Sequence, residues 1–515
     1  MSHATGELVA DPPPTVVHLL ASAAEESPGA EAVVFGEVRL TYAEYYERVR
    51  AFAHELLERG VAGRRVATVL GNSADTCIAF FAVHLAGAQL VPVNPLYTDR
   101  ELRQILSDAE PVLVIADESL GARVARLAEE QGVEALLVGK DTRGLATAPA
   151  EPPVYDASEL SLPEPDAPAL LQYTGGSTGT PKGVQLTHRA IATNVAQREA
   201  LLPTRCGEER VLCVMPLFHS YALSMALYLS AHSHGCLVVL PRHHPEHLLQ
   251  TIRKERITLF PGNPTIYSGL LSHPAAATTD WSTVRACYSG SAPLPVETLR
   301  RWEALVGAPV VEGYGQTEAG PVLTFNPAEG TRKAGSVGVP VPGTTVQVVD
   351  LAAADVPLGP GQVGEIRARG PQIMSGYLNR PVETAESLRD GWLYTSDIGE
   401  FDDDGYLYIR ERKKELVIVG GYNVYPREVE EVLFSHPDVI DAGVIGAPDD
   451  YRGEGLQAFV VLATGSAASA EELREHCRGR LAKYKVPTLV RLVQQLPKTS
   501  VNKTDKVALR QEMTS

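Results

Sequence analysis

The segment Tyr173-Thr-Gly-Gly-Ser-Thr-Gly-Thr-Pro-Lys-Gly183 gathers glycines, hydroxyl side chains and one lysine directly after the apolar run Leu170-Leu171. Glycines let backbone N–H groups approach phosphate oxygens, while hydroxyls and an ammonium add donors and charge. Thr174, Gly175, Gly176, Ser177, Thr178, Gly179 and Lys182 therefore form a candidate phosphate-binding loop. It is not the common P-loop, in which Gly-Lys-Ser/Thr enters a helix. Here Pro181 precedes Lys182, and Gly183 leads into what reads as a strand. Four more stretches concentrate polar groups: Pro216-Leu-Phe-His-Ser-Tyr-Ala-Leu-Ser224, Glu312-Gly-Tyr-Gly-Gln-Thr-Glu318, Trp392-Leu-Tyr-Thr-Ser-Asp397 with Arg412 downstream, and Pro497-Lys-Thr-Ser-Val-Asn-Lys503. Taken singly, each also fits a packed histidine, a turn or a solvated tail lysine.

The elements around these stretches explain how they could be brought together. From Val33 to about Gly139, buried runs (RVATVLG, QLVPVN, PVLVIAD, EALLVG) alternate with amphipathic stretches. Two of those open with capping-box signals, Thr41 with Glu44 and Thr98 with Glu101. Such βα alternation predicts a parallel sheet covered by helices. Residues 140–167, rich in Ala, Pro and acidic groups, read as a surface connection. The alternation then resumes through LLQYT, RVLCVM, CLVVLP, ITLFPG, VRACYSG and PVVEGYG. Between about 335 and 410 short strands with Gly and Pro turns predict a small β-rich subdomain. The remainder, with strands at ELVIVGG, VIDAGVIGAP and LQAFVVLA, helices from Arg427 and near 470–482, and a last apolar run LVRLVQQLP, predicts a compact α+β unit. The expected architecture is α/β, with an N-terminal domain over 1–411 and a small mobile C-terminal domain over 412–515.

Bulk composition narrows the function classes. The 515 residues are 44% hydrophobic and 21% charged, an ordinary globular balance. A net charge of −17 argues against nucleic-acid binding, which needs a basic face. The six cysteines include no CxxC pair, and several lie in apolar runs, so buried free thiols in a reducing cytoplasm are expected. The N-terminus lacks the pattern of a signal peptide, and no stretch of about 18 apolar residues suggests integral membrane association.

Taken in order, the five stretches resemble those of the adenylate-forming superfamily: acyl- and aryl-CoA synthetases, peptide-synthetase adenylation domains and luciferases. The resemblance runs from about residue 30 to 510 and is nearest to fatty-acid and aryl-acid–CoA ligases. It implies an AMP-binding site formed by Gly290, Ser291, Ala292, Pro293, Glu312, Gly313, Tyr314, Gly315, Thr317, Asp397, Arg412 and Lys503. In that set Tyr314 would lie against adenine, Thr317 at the α-phosphate and Asp397 on the ribose hydroxyls, with Glu318 holding Mg²⁺. Lys503 would be the catalytic lysine, rather than Lys498 or Lys506, and Asn502 and Ser396 stand where the family usually has glycine. His219 would lie between the acyl pocket and the thiol channel, with Tyr221, Ser224, Gly315 and Val322 as further pocket residues. Ala222 departs from the family's Phe-His-x-x-Gly.

The resemblance implies two half-reactions using ATP, Mg²⁺, a small-molecule carboxylic acid and coenzyme A. The C-terminal domain would turn about Lys414, presenting Lys503 for adenylation and then Gly420, Gly421 and Tyr422 to the coenzyme A channel. An enzyme loading an acyl carrier protein is the alternative, although the junction insertion usual there is missing. An amino-acid substrate is disfavoured, because PLFHSYALSMALYLS holds no acidic residue. Phe218, Tyr221, Leu223, Met225, Val322 and Leu323 predict an apolar acid, either medium- or long-chain fatty or aryl/cinnamoyl-type. The Tyr221 hydroxyl is expected to read a phenolic end if the acid has one. Either a monomer or a homodimer fits.

Overall fold

A computed structural model describes residues 3–4, 12–139, 144–147, 160–174, 181–353, 355–449, 452–499 and 503–512. Two large sheets carry most of the chain. In the first, Glu134–Val138, Leu113–Asp117, Arg65–Val69, Gln89–Pro92 and Pro168–Thr174 run parallel in that spatial order. Lys182–Thr187 then folds back antiparallel on Pro168–Thr174. In the second, Glu31–Phe35, Cys236–Val239, Arg210–Cys213, Leu259–Gly262, Ala286–Ser289 and Val310–Gly315 are parallel neighbours. Strands buried on both faces need continuous apolar runs, which is why VATV, LVIA and CLVV carry no polar alternation. Both expected capping boxes form: Thr41 and Thr98 each accept from the backbone N–H of the glutamate three residues on, whose carboxylate returns to the cap N–H.

Thr345–Val349, Gly364–Arg369, Trp392–Phe401 and Leu407–Arg412 build the β-rich sheet antiparallel in sequence order. His3–Ala4 adds a strand to its edge, which the sequence pattern does not signal. The next strand, Val417–Val419, belongs to another sheet, with Gly453–Leu462, Val439–Asp449 and Leu489–Leu492. That sheet packs the helices Pro426–Phe434 and Ala470–Arg478 around an apolar cluster of its own, including Val417, Leu433, Val444 and Leu473. The second helix stops at Arg478, short of the expected 482, as the chain leaves the helix at Gly479.

All six cysteines are free; five are buried, and Cys206 is exposed, unlike the expected pattern. Among the described residues no helix is long and apolar enough to cross a membrane. Of the stretch 140–167, most lies outside the described residues.

Candidate active site

Strand ends of the N-terminal unit bring four of the five stretches together, and the C-terminal unit supplies the fifth. Thr174 closes one strand and Lys182 opens the next, and the two are register partners. The base of the phosphate loop is thereby fixed by a ladder, while Gly175, Gly176, Ser177, Thr178 and Gly179 lie outside the described residues. The Lys182 ammonium sits 4.9 Å from the centre of the Tyr377 ring. Tyr377 is placed there because Gly376-Tyr377 pairs antiparallel with Gln185-Val184. Its hydroxyl donates to Glu318 Oε1 at 2.9 Å. Burial raises the Glu318 carboxyl above its usual range, and this hydrogen bond opposes the rise. Nothing local in the sequence singles out Tyr377, since its contact depends on cross-strand register.

A second group surrounds Asp397. Tyr314 Oη donates to Asp397 Oδ2 at 2.6 Å, and Arg412 Nε lies 3.4 Å from Oδ1. Asp397 and Arg412 face each other as register partners on adjacent strands, which explains how residues fifteen apart form a pair. Burial pushes the Asp397 carboxyl up, against the pull of Arg412 and Tyr314. Ser396 has φ of +60°, the left-handed conformation that a glycine would adopt more cheaply. The turn 290–293 is braced by Glu312, whose Oε1 accepts from Leu294 N at 2.9 Å. Glu312 itself is buried, and burial drives its carboxyl up to about 7. A Cβ on Gly290 would fall 2.6 Å from the Tyr221 ring, so only glycine fits this close approach. Gly313 and Gly315 lie on the same strand as Tyr314, and Ser291 has φ of +69°.

The Pro216–Ser224 stretch reaches the same strand ends. Ser220 Oγ lies 3.1 Å from Thr317 Oγ1, joining it to the Glu312–Glu318 segment. His219 Nδ1 accepts from Tyr221 N at 3.2 Å, which leaves the ring proton of the neutral form on Nε2. Burial and the nearby positive charge of Lys503 hold His219 down to about 3, so the ring is neutral at physiological pH. Tyr221 corrects an expectation. Its hydroxyl already donates to Tyr288 O at 3.0 Å, a carbonyl that also accepts from Tyr267 Oη at 2.7 Å. It is therefore committed within the protein rather than offered to the acid. Ser224 is buried on a π-helical turn, Leu223–Tyr228, and its Oγ has no partner among the described residues. Val322 is buried, with its N–H and carbonyl both held by the Asn194 side chain at 3.0 and 2.9 Å.

The C-terminal unit supplies Lys503. Its backbone N–H donates to Thr499 Oγ1 at 3.2 Å, and the Lys498–Thr504 bridge closes the turn. Lys498 is tied to Asp441 at 2.5 Å and Lys506 to Glu430 at 3.0 Å. Lys503 has no carboxylate partner within ion-pair distance among the described residues. Burial, then the Arg412 charge, lowers its ammonium to about 8, with Asp397 pulling the other way. Lys503 is thus electrostatically coupled to Asp397 and His219 of the N-terminal unit and to Arg412, the expected boundary residue, which ends a strand of the β-rich sheet. Gly420, Gly421 and Tyr422 do not join this group. They form an exposed hairpin tip, both glycines at positive φ, where Tyr422, 59% exposed, stacks on Tyr484 at 4.5 Å. Lys414 lies exposed in the turn between the strands ending at Arg412 and starting at Val417.

Comparison with known proteins identifies the family. The profile of the AMP-binding enzyme family matches residues 20–378, and that of the AMP-binding enzyme C-terminal domain matches 428–503. A long-chain-fatty-acid–CoA ligase of Bacillus subtilis is 38% identical, over 98% of this chain and 95% of its own. A feruloyl-CoA synthase of an Amycolatopsis species is also 38% identical, over 95% and 96%. The ATP-bound crystal structure of MatB from Rhodopseudomonas palustris superposes with a TM-score of 0.90 at 32% identity, covering 97% of this chain and 99% of that one. The chain belongs to the adenylate-forming AMP-binding enzyme family, close to its fatty-acid–CoA ligases.

Proposed function

We propose that this protein is an AMP-forming acid–CoA ligase acting on an apolar carboxylic acid. In the first half-reaction a carboxylate oxygen attacks the α-phosphorus of ATP, the bond to the β-phosphate oxygen breaks, and pyrophosphate leaves. In the second, the thiolate of coenzyme A attacks the acyl carbon, the bond to the phosphate oxygen breaks, and AMP leaves. The observation that carries this reading is the coupling of Lys503 to Asp397, Arg412 and His219, beside the Lys182–Tyr377–Glu318 chain.

Each residue has a role that fits its surroundings. Two anions must meet in the first step, so neutralising charge is the main difficulty. Lys503, charged at neutral pH, sits where it can attract both the carboxylate and the phosphate. The 174–182 loop would cradle the β- and γ-phosphates, and Thr317 would meet the α-phosphate. Asp397 accepts from Tyr314 and can also accept from ribose hydroxyls, with Arg412 opposing the upward shift that burial causes. Among the described residues no cluster of three or more His, Cys, Asp or Glu side chains could hold a metal on its own. A single carboxylate beside a triphosphate is nevertheless the donor set Mg²⁺ favours, and Glu318 provides it. Bound there, Mg²⁺ would offset the charge of the leaving pyrophosphate. Neutral His219, positioned by Tyr221 N–H, would face the acyl carbon without adding charge.

The hairpin at Gly420, Gly421 and Tyr422 is exposed while Lys503 is the residue coupled to Asp397 and His219, which fits a pose for adenylation. Turning about Lys414 would exchange Lys503 for this hairpin and open a channel for the pantetheine arm. Fatty and aryl acids both suit the walls formed by Tyr221, Met225 and Val322, and relatives acting on long-chain fatty and feruloyl acids lie at equal identity. The free cysteines and the use of ATP and coenzyme A support a cytoplasmic enzyme, as monomer or homodimer. A panel of alkyl and aryl acids assayed for ATP- and coenzyme A-dependent thioester and AMP tests this reading. AMP release without thioester for every acid would overturn the ligase assignment.

A further inference from the structure

One carboxylate that neither the motifs nor the proposed chemistry uses makes several contacts between the two units, beside the hydrogen bond from Val296 N to Glu431 Oε2 at 3.4 Å. Glu411 is the penultimate residue of the strand Leu407–Arg412, and it is buried. Its Oε1 accepts from Arg412 N at 3.0 Å, so it steadies the residue paired with Asp397. Its Oε2 accepts from Arg427 N at 3.1 Å. Arg427 is the second residue of the helix Pro426–Phe434, so a carboxylate of the N-terminal unit satisfies an otherwise unpaired N–H of a helix in the other unit. Lys506, three residues beyond Lys503, places its ammonium 3.7 Å from the same Oε2 and 3.0 Å from Glu430 of that helix. Arg427 completes the joint by donating to Ile409 O at 2.7 Å. Glu411 therefore meets the starts of two helices, Pro426–Phe434 and Lys506–Glu512, the second of which begins three residues after Lys503, both from across the hinge. Burial pushes its carboxyl up while Lys506 pulls it back.

We propose that Glu411, with Lys506, is a positioning residue that holds the C-terminal unit in the pose that presents Lys503. It would act on acyl-adenylate formation and not on thioester formation. The inference rests on the two-pose reading above, because rotation about Lys414 would part Glu411 from both Arg427 and Lys506. Every contact it makes across the units then belongs to one pose alone, so weakening it shifts the balance toward the other. Charged hydrogen bonds of this kind, removed one partner at a time, correspond to roughly 10- to 100-fold in an equilibrium.

The test compares Glu411→Ala, Glu411→Gln and Lys506→Met with the parent in two assays, ATP–pyrophosphate exchange and thioester formation from supplied acyl-AMP and coenzyme A. Exchange should fall about tenfold or more for Glu411→Ala. It should fall less for Glu411→Gln, which keeps an acceptor, and thioester formation should be unchanged or faster. A Lys506→Met loss that shrinks when combined with Glu411→Gln would show that the two act as a pair. Equal losses in both assays, or unchanged exchange, would overturn the proposal. Lys503→Ala, run alongside, separates its failure from that of the two-pose reading. If Lys503→Ala affects the half-reactions unequally and the Glu411 variants do not, the anchor alone is wrong. If Lys503→Ala also affects both equally, the two-pose reading falls and takes the anchor with it.

Discussion

Replacing Lys503 with alanine removes the ammonium that the turn 498–504 holds near Asp397 and Arg412. A preorganised donor to charge that develops in the transition state contributes about 2.7–4 kcal/mol, so adenylation should slow by roughly a hundred- to a thousandfold. Thioester formation from supplied acyl-AMP should be largely spared. The depressed lysine adds a second, sharper signature. Burial and Arg412 bring it from the ordinary 10.5 to about 8. The charged form exists below that value, so kcat/KM for pyrophosphate exchange should be level up to about pH 7. It should then fall roughly tenfold per unit above about pH 8. Once ATP and the acid are bound, their negative charge favours the ammonium, so the same limb in kcat should lie at higher pH. Lys503→Arg carries a charge that does not titrate in this range, so any activity it retains should lack the limb. The measurements are exchange rates across pH for the parent and both variants. A parent profile flat to about pH 9.5, or a limb that survives in Lys503→Arg, would refute the role given to this lysine.

Other substitutions probe the neighbouring contacts. Tyr377→Phe removes the hydrogen bond to Glu318 and should raise the Mg²⁺ concentration needed for half-maximal exchange about tenfold; an unchanged Mg²⁺ dependence would detach Tyr377 from the metal site. Tyr221→Phe should lower kcat/KM only slightly and equally for hydroxylated aryl and plain alkyl acids, because Tyr267 still satisfies the Tyr288 carbonyl. A loss of about tenfold confined to hydroxylated acids would show that the Tyr221 hydroxyl reaches the substrate. Lys414→Pro fixes φ near about −65° and should leave exchange intact while thioester output collapses; full turnover in this variant would remove Lys414 as the hinge.

Local signals are legible in the sequence, whereas contacts across the fold are not. The capping boxes at Thr41 and Thr98 and the buried parallel strands depend on residues within a few positions of one another. Tyr377 and Glu318 are 59 residues apart, and only the pairing of Gly376-Tyr377 with the strand Lys182–Thr187 joins them. The commitment of Tyr221 to the Tyr288 carbonyl is hidden for the same reason, since an apolar-flanked tyrosine looks equally suited to substrate or backbone. Ser396 shows a different limit. Its type alone gives no sign of a left-handed backbone; only its place where the family usually has glycine points to the φ of +60° that the chain around Asp397 imposes. The π turn at Leu223–Tyr228 leaves no mark in its residues, because an apolar sequence fits either winding.

The 2.6 Å approach that a Cβ at Gly290 would make to the Tyr221 ring has a consequence for how this enzyme can change. In the proposed function the ring would be at once a wall of the acyl pocket and the surface against which the turn 290–293, expected to meet the nucleotide, rests. Shrinking Tyr221 to admit a bulkier acid would leave a void under that turn, so a wider range of acids comes with a looser nucleotide site. The repair is a small side chain at position 290, and it is blocked for as long as the ring remains. The two positions can therefore be altered in one order only: Tyr221 first, through an intermediate with weakened hold on ATP, and Gly290 afterwards. A library that varies either position alone would miss the pair, whereas one that varies both together can cross directly.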